Sequence, residues 1–217
     1  TKIPEMITDY VKTVKGQINN VAVDQAYEFI KKILKADYTS ESDGEKIYFD
    51  EHHWVKLMYG SSGQQEVLWI LMLAFAIILE KKKSFVVIEE PEAHLYPNLQ
   101  NKVVEFIAYF ANINKSSIMI TTHSPYILTS INTLYCAGKT IRAFPELSKK
   151  VYDVVGNRCE IEPEKVTAFK INKDKSIQNL VNEEFREIDT EMIDEISDGV
   201  NEKYTELFYL LSENEVP

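Results

Sequence analysis

Glycine and proline are scarce in this 217-residue chain, seven of each. That scarcity excludes a collagen-like or loop-rich scaffold and favours long regular elements. Cysteine occurs only as Cys136 and Cys159, and neither shares metal-ligand spacing with the other or with the four histidines. The pair fits reduced thiols in a cytoplasmic protein, not a disulfide framework. The longest apolar run, Val67 to Leu79, has 13 residues. A bilayer-spanning helix needs about 20, so the run reads as a buried helix of a soluble protein with no membrane partner. Basic residues are also short: 24 Lys+Arg stand against 34 Asp+Glu, a net charge of −10. A chain that binds duplex nucleic acid over its whole surface shows the opposite balance. No signal-peptide pattern follows Thr1.

What is present is globular. Apolar residues make up 45%, aromatics 11% and charged residues 27%, which is no disordered composition. A mass of 25.1 kDa gives one large domain or two small ones. The charge is uneven: Glu183 to Glu206 holds ten acidic and two basic residues, a net of −8, leaving −2 for the rest. A solvated helical face accounts for such a stretch, and a docking face for a basic partner is the alternative.

Hydrophobic spacing predicts helix within residues 5–35, with Ala26, Phe29, Ile30, Ile33 and Leu34 on one face. Ser40 to Glu45 (SESDGE) predicts a turn between strands at 36–39 and 46–49, with a further strand in 52–58. A helix follows from Gln64 to about Glu80. Ser84–Ile88 and Ser117–Thr121 are short unbroken apolar strands, the type that parallel sheets bury on both faces. A helix from Pro97 to about Ala111 lies between them, so the three form a right-handed crossover unit. Pro125 to about Leu134 is helical. Val166–Ile171 and Ser176–Val181 form a hairpin, and Asp189 or Thr190 caps a last helix running to about Leu211.

Three stretches at the ends of these elements carry chemistry, because α/β sheets place their sites there. Ser61-Ser62-Gly63-Gln64-Gln65 opens a helix, where exposed N–H groups and the dipole suit a phosphate; an ordinary N-cap explains it as well. Glu89-Glu90-Pro91-Glu92 ends the first strand. Adjacent strand residues point to opposite sides, so Glu89 and Glu90 should have different tasks and should not both be solvated. A metal, a polarised water or a cation is expected nearby, with structural ion pairs as the alternative. Ile120-Thr121-Thr122-His123-Ser124-Pro125 ends the second strand and delivers His123 to the same sheet edge, a candidate donor to a phosphate.

SSGQQ, FVVIEEPEAHLYP and ITTHSP, in this order and spacing, resemble the C-terminal half of an ABC-type ATPase head. They are most similar to the AAA-family proteins grouped with SMC-like, overcoming-lysogenization-defect and related bacterial ATPases, over about residues 45–135. The resemblance implies an α/β, P-loop NTPase-type fold with parallel core strands, flanking helices and an α+β C-terminal extension. The chain then divides into an N-terminal helical segment and start of a hairpin (1–45), the C-terminal lobe of the head (46–140) and an acidic extension (141–217). By resemblance Ser61, Ser62, Gly63 and Gln64 form the signature that contacts ATP on a partner subunit. Glu89 holds Mg²⁺, often through water, and Glu90 is the catalytic base. Ala93–Leu95 is the D-loop region, and His123 is the switch histidine at the γ-phosphate. Ser62 stands where the signature usually has its first glycine, and Glu89 where Asp is commoner.

The phosphate loop GxxxxGK[ST] should precede the signature, and the chain has none there. Its only Gly-Lys-Thr, residues 138–140, has Thr133 where the first glycine belongs, follows a helix and precedes a strand-like Ile141–Phe144, so it reads as a decoy. The expectation is a piece lacking its P-loop lobe, inactive alone and part of an ATPase when complete. Its partners would be ATP, a second ATPase head and an effector such as DNA or a nuclease subunit. A Toprim nuclease domain is not expected, because neither a strand into Glu-Gly nor a later Asp-x-Asp follows His123. The residues also admit a non-catalytic interaction module with relic motifs, or a metal nuclease using Glu89, Glu90 and Glu92, which the net acidity disfavours.

Overall fold

The computed structural model describes residues 21–182, 187–190 and 203–207. The first element among the described residues is α1 (Val21–Leu34), residues 5–20 of the expected helical stretch lying outside them, and it leads into an antiparallel sheet of β1 (Asp37–Glu41), β2 (Gly44–Tyr48) and β3 (Trp54–Lys56). Register Ser40↔Glu45 and Glu41↔Gly44 closes the expected hairpin, with Gly44 at φ 124°, a backbone that favours glycine. Then come α2 (Ser62–Glu80), β4 (Phe85–Glu89), α3 (Pro97–Asn114), β5 (Ser117–Thr121) and α4 (Pro125–Ala143). Next among the described residues come α5 (Ser148–Val155) and two short antiparallel pairs: β6 (Phe169–Ile171) with β7 (Ile177–Asn179), and β8 (Val181–Asn182) with β9 (Glu187–Ile188). The hairpin at 166–181 is therefore present, with shorter strands than expected. Of the expected final helix, 203–207 is helical, and the remainder lies outside the described residues.

One core takes in side chains from Val23 to Cys159. Its centre is aromatic: Phe29 meets Phe106 and Tyr109 with ring centroids 5.9 and 5.4 Å apart, and Tyr27 meets Phe75 edge-on. Burial pushes the Tyr109 phenol up to about 12, and its hydroxyl donates to the Ala22 carbonyl at 2.7 Å. The Cys159 thiol is likewise pushed up by burial, which makes it inert. With glycine scarce, lysine takes the left-handed position after α2 and α3, Lys81 at φ 53° and Lys115 at φ 52°. Asn114 ties those two helix ends together by donating to the carbonyls of Ile77 and Lys82.

Three expectations need correction. The parallel pair β4–β5 is covered on one face only. Ile88 is buried and Val86, Ile118 and Ile120 pack against the core, while Phe85, Val87 and Met119 are exposed, because no described element lies over that side. Second, α4 does not stop near Leu134. It runs through Gly138-Lys139-Thr140 and most of 141–144, so the stretch read as strand-like is helical. Third, the helix expected from Gln64 to about Glu80 is present as the 19-residue α2, so the apolar segment is not too short to span a bilayer. Ser62–Glu80 has the length and composition of a membrane-crossing helix, and half of it is buried inside the fold.

Candidate functional site

Parallel pairing of β4 and β5 aligns Glu89 with Thr121, so the two strands release their chains at the same edge. The first turn after β4 is tightly held: the Glu90 amide donates to the Thr121 carbonyl at 2.8 Å, and Ala93 and Leu95 donate back to Glu90 and Glu92. To make it, Glu90 adopts φ 44° and His94 φ 56°. Left-handed backbone at residues other than glycine costs about 1–2 kcal/mol each and gathers at functional sites.

The two loops bring Glu90 and His123 together, Oε1 to Nε2 at 3.6 Å. His123 is 89% exposed and Glu90 56%, so both are open to a ligand. Glu89 is exposed as well. This corrects the expectation that Glu89 and Glu90 are not both solvated. The sheet face beneath Glu89 is open, so neither carboxylate is forced out of water. Of the three carboxylates in Glu89-Glu90-Pro91-Glu92, the one with a buried oxygen is Glu92, whose Oε2 has no partner among the described residues. Its Oε1 accepts from the Thr122 hydroxyl at 2.6 Å and from the His123 amide at 2.9 Å.

Glu92 belongs to a circuit. Thr122 Oγ1 accepts from the Ser124 amide at 2.9 Å, and the Ser124 hydroxyl donates to Gln100 Oε1 at 2.7 Å. Gln100 Nε2 donates to the Leu95 carbonyl at 3.0 Å, returning to the loop that carries Glu92. Gln100 and Ser124 are buried. In the sequence Glu92 is a candidate only as a ligand of a metal nuclease, Thr122 and Ser124 only flank His123, and Gln100 is not singled out. The available signal was Gln100, a polar residue on the buried side of α3 alongside Val103 and Val104.

The signature-like stretch lies against the same loop. A Cβ on Gly63 would sit 2.5 Å from the His94 carbonyl oxygen and 3.0 Å from Leu95 Cδ2, so only glycine lets α2 start this close. The His94 side chain lies 3.4 Å from Glu66. Ser61 caps α2: its Oγ accepts from the Gln64 amide, and Gln64 Oε1 accepts from the Ser61 amide, both at 3.2 Å. Gln64 also donates to the Leu34 carbonyl, so its side chain is engaged inside the fold. Ser61 and Ser62 are exposed.

A magnesium ion fits this donor set. Mg²⁺ is held by one or two carboxylates, with water and substrate phosphates filling its octahedron, and Glu89 offers an exposed carboxylate at the strand end. Among the described residues no group of three or more His, Cys, Asp or Glu side chains could hold a metal by itself.

The Gly-Lys-Thr at 138–140 serves another purpose. A Cβ on Gly138 would meet the Ile161 carbonyl oxygen at 2.1 Å, Lys139 pairs with Glu187 at 3.2 Å, and the Thr140 hydroxyl donates to the Cys136 carbonyl.

Residues 1–128 match the family model of the AAA ATPase domain. No curated protein matches the chain significantly. Among solved structures, a chain from work on ATP-driven dimerization and DNA-stimulated activation of SMC ATPases is similar at 12% identity and a TM-score of 0.45, over 82% of this chain and 92% of that one. The SMC head domain from Thermotoga maritima is similar at 14% identity and a TM-score of 0.37, over 58% of this chain and 44% of that one.

Proposed function

The chain belongs to the AAA ATPase domain family, and from that premise we propose that it is the part of an ATP-hydrolysing head that carries the Walker B strand, the signature and the switch histidine. The observation that carries this reading is the meeting of Glu90 and His123 at the shared edge of β4 and β5, 3.6 Å apart and both open to a ligand.

In this reading a P-loop lobe completes the site. Parallel strands are normally covered on both faces, and the exposed row of Phe85, Val87 and Met119 is the face such a lobe would cover. ATP is the substrate. Glu90 orients a water and draws its proton as the oxygen attacks the γ-phosphorus, and the bond to the bridging oxygen breaks toward ADP. His123 donates to a γ-phosphate oxygen and stabilises the charge there. Mg²⁺ supplies neutralisation of phosphate charge when bound, and Glu89 would hold it.

Ser61, Ser62 and the amides beneath Gly63 would face ATP on a second head, while Gln64 braces the turn from behind. ATP would then close two heads together and hydrolysis would part them. The change would pass to an effector, DNA or a nuclease subunit, in the cytoplasm.

Glu90→Gln in the full protein tests this. The amide keeps the shape and loses the charge, so ATP binding should persist while turnover falls about 100-fold or more, with an ATP-bound dimer accumulating on size exclusion. Turnover near the wild-type rate would remove Glu90 as the base. Residues 1–217 alone should show no micromolar MgATP binding by calorimetry, and such binding would end the need for a P-loop lobe.

A further inference from the structure

We propose that Glu92 is a positioning residue that fixes the switch-histidine loop to the loop after β4, a role that rests on the ATPase reading above. A carboxylate in the loop ahead of α3 has no need to be shielded from water, yet Glu92 has one oxygen buried without a partner among the described residues. Its other oxygen takes both donors that define the start of the neighbouring loop, the Thr122 hydroxyl at 2.6 Å and the His123 backbone amide at 2.9 Å. The His123 side chain has no comparable restraint, being 89% exposed with Glu90 at 3.6 Å. The backbone is therefore what aims the imidazole, and Glu92 holds that backbone.

The circuit through Thr122, Ser124, Gln100 and the Leu95 carbonyl closes on the loop that bears both Glu90 and Glu92. Glu90 and His123 thus share one frame, and the frame sets their separation. Both donors to Glu92 are neutral, so what is needed is an oxygen acceptor, not a charge. Gln should therefore substitute and Ala should not. Loss of the clamp should affect the step in which His123 must meet developing charge more than it affects ATP binding.

The test uses the full protein with MgATP. Glu92→Ala should lower kcat about 10–100-fold with KM for ATP nearly unchanged, as expected when a reacting group is misplaced by about an ångström. Glu92→Gln should recover kcat to within about threefold of the wild type, a rescue that a charge-dependent role forbids. Glu92→Ala combined with His123→Ala should be no slower than His123→Ala alone, because Glu92 acts through His123. Independently of turnover, exchange of the His123 amide should rise about tenfold in Glu92→Ala and return in Glu92→Gln. Unchanged exchange overturns the clamp. Raised exchange with wild-type kcat, or losses that multiply in the double variant, overturns the positioning role. Wild-type turnover in Glu90→Gln instead removes the ATPase site reading itself, and this role goes with it.

Discussion

Gly63 and Gly138 both stand where a methyl group has no room, the first 2.5 Å from the His94 carbonyl oxygen and the second 2.1 Å from that of Ile161. Each is followed by residues that suggest phosphate chemistry: Gln-Gln after one, Lys-Thr after the other. Their surroundings differ. Gly63 lies in the first turn of α2, beside exposed Ser61 and Ser62, and touches the loop that holds Glu90 and Glu92. Gly138 lies inside α4, where the amides around it are spent on the helix and cannot cradle an anion. A glycine's value to a site depends on what its missing side chain lets approach, here a candidate site loop in one case and a structural strut in the other.

The largest stability effect should come from breaking both close contacts. At 2.1 Å from backbone the Ile161 segment must move, so Gly138→Ala should cost about 1–3 kcal/mol despite alanine's better helix propensity. That corresponds to a fall of about 2–4 °C in melting temperature per kcal/mol for a chain of this size. Gly63→Ala should cost a similar amount and, in addition, lower ATP turnover in the full protein, because the backbone it displaces is that of His94. Melting curves and turnover on the two variants sharpen the comparison. Equal loss of turnover per degree of melting in both would dissolve it.

The same contrast governs what the sequence made legible. Strands β4 and β5 were readable because short apolar runs end abruptly in Glu-Glu-Pro and Thr-His-Ser-Pro, and SESDGE marked the β1–β2 turn. The full length of α4 was not, since Thr133, Gly138 and Thr140 are poor helix formers. Buried Leu134, Tyr135 and Ala137 hold that stretch in place, and the hydroxyls of Thr129, Ser130, Thr133 and Thr140 turn inward to the carbonyls one turn back. Eight-residue α5 carries too short a pattern to register. At the site, the meeting of Glu90 and His123 followed from strand ends alone. Alternation along a strand cannot say whether its outer face is covered, and the open face beneath Glu89 leaves both Glu89 and Glu90 solvated. The role of Glu92 was hidden because its partners lie 30 residues away.

Ser61→Arg separates the two uses of the α2 N-terminus and should be milder in stability. Loss of the Ser61 cap costs about 1 kcal/mol, a small shift on a melting curve. If the exposed turn closes on ATP held by a second head, the same substitution should abolish ATP-dependent dimerisation of the full protein while leaving ATP binding to each head's own P-loop intact. Size exclusion with MgATP reads the first and calorimetry the second. Unchanged dimerisation with a lowered melting point would reduce Ser61 to a cap.

Lys139→Ala should have the smallest effect, and its smallness is the point. In a P-loop the lysine after the second glycine reaches the β- and γ-phosphates, and its removal destroys nucleotide binding. Here Lys139 sits on α4 and pairs with Glu187 at 3.2 Å, their side chains 38% and 53% exposed. Pairs as open as this are worth about 0.2–1 kcal/mol and weaken with salt. The variant should therefore melt within about 2–4 °C of the wild type, with the difference shrinking as salt is raised, and its ATP affinity and turnover in the full protein should be unaltered. A large loss of ATP binding would mean that Gly138-Lys139-Thr140 meets nucleotide after all, and that Gly138 is no mere structural strut.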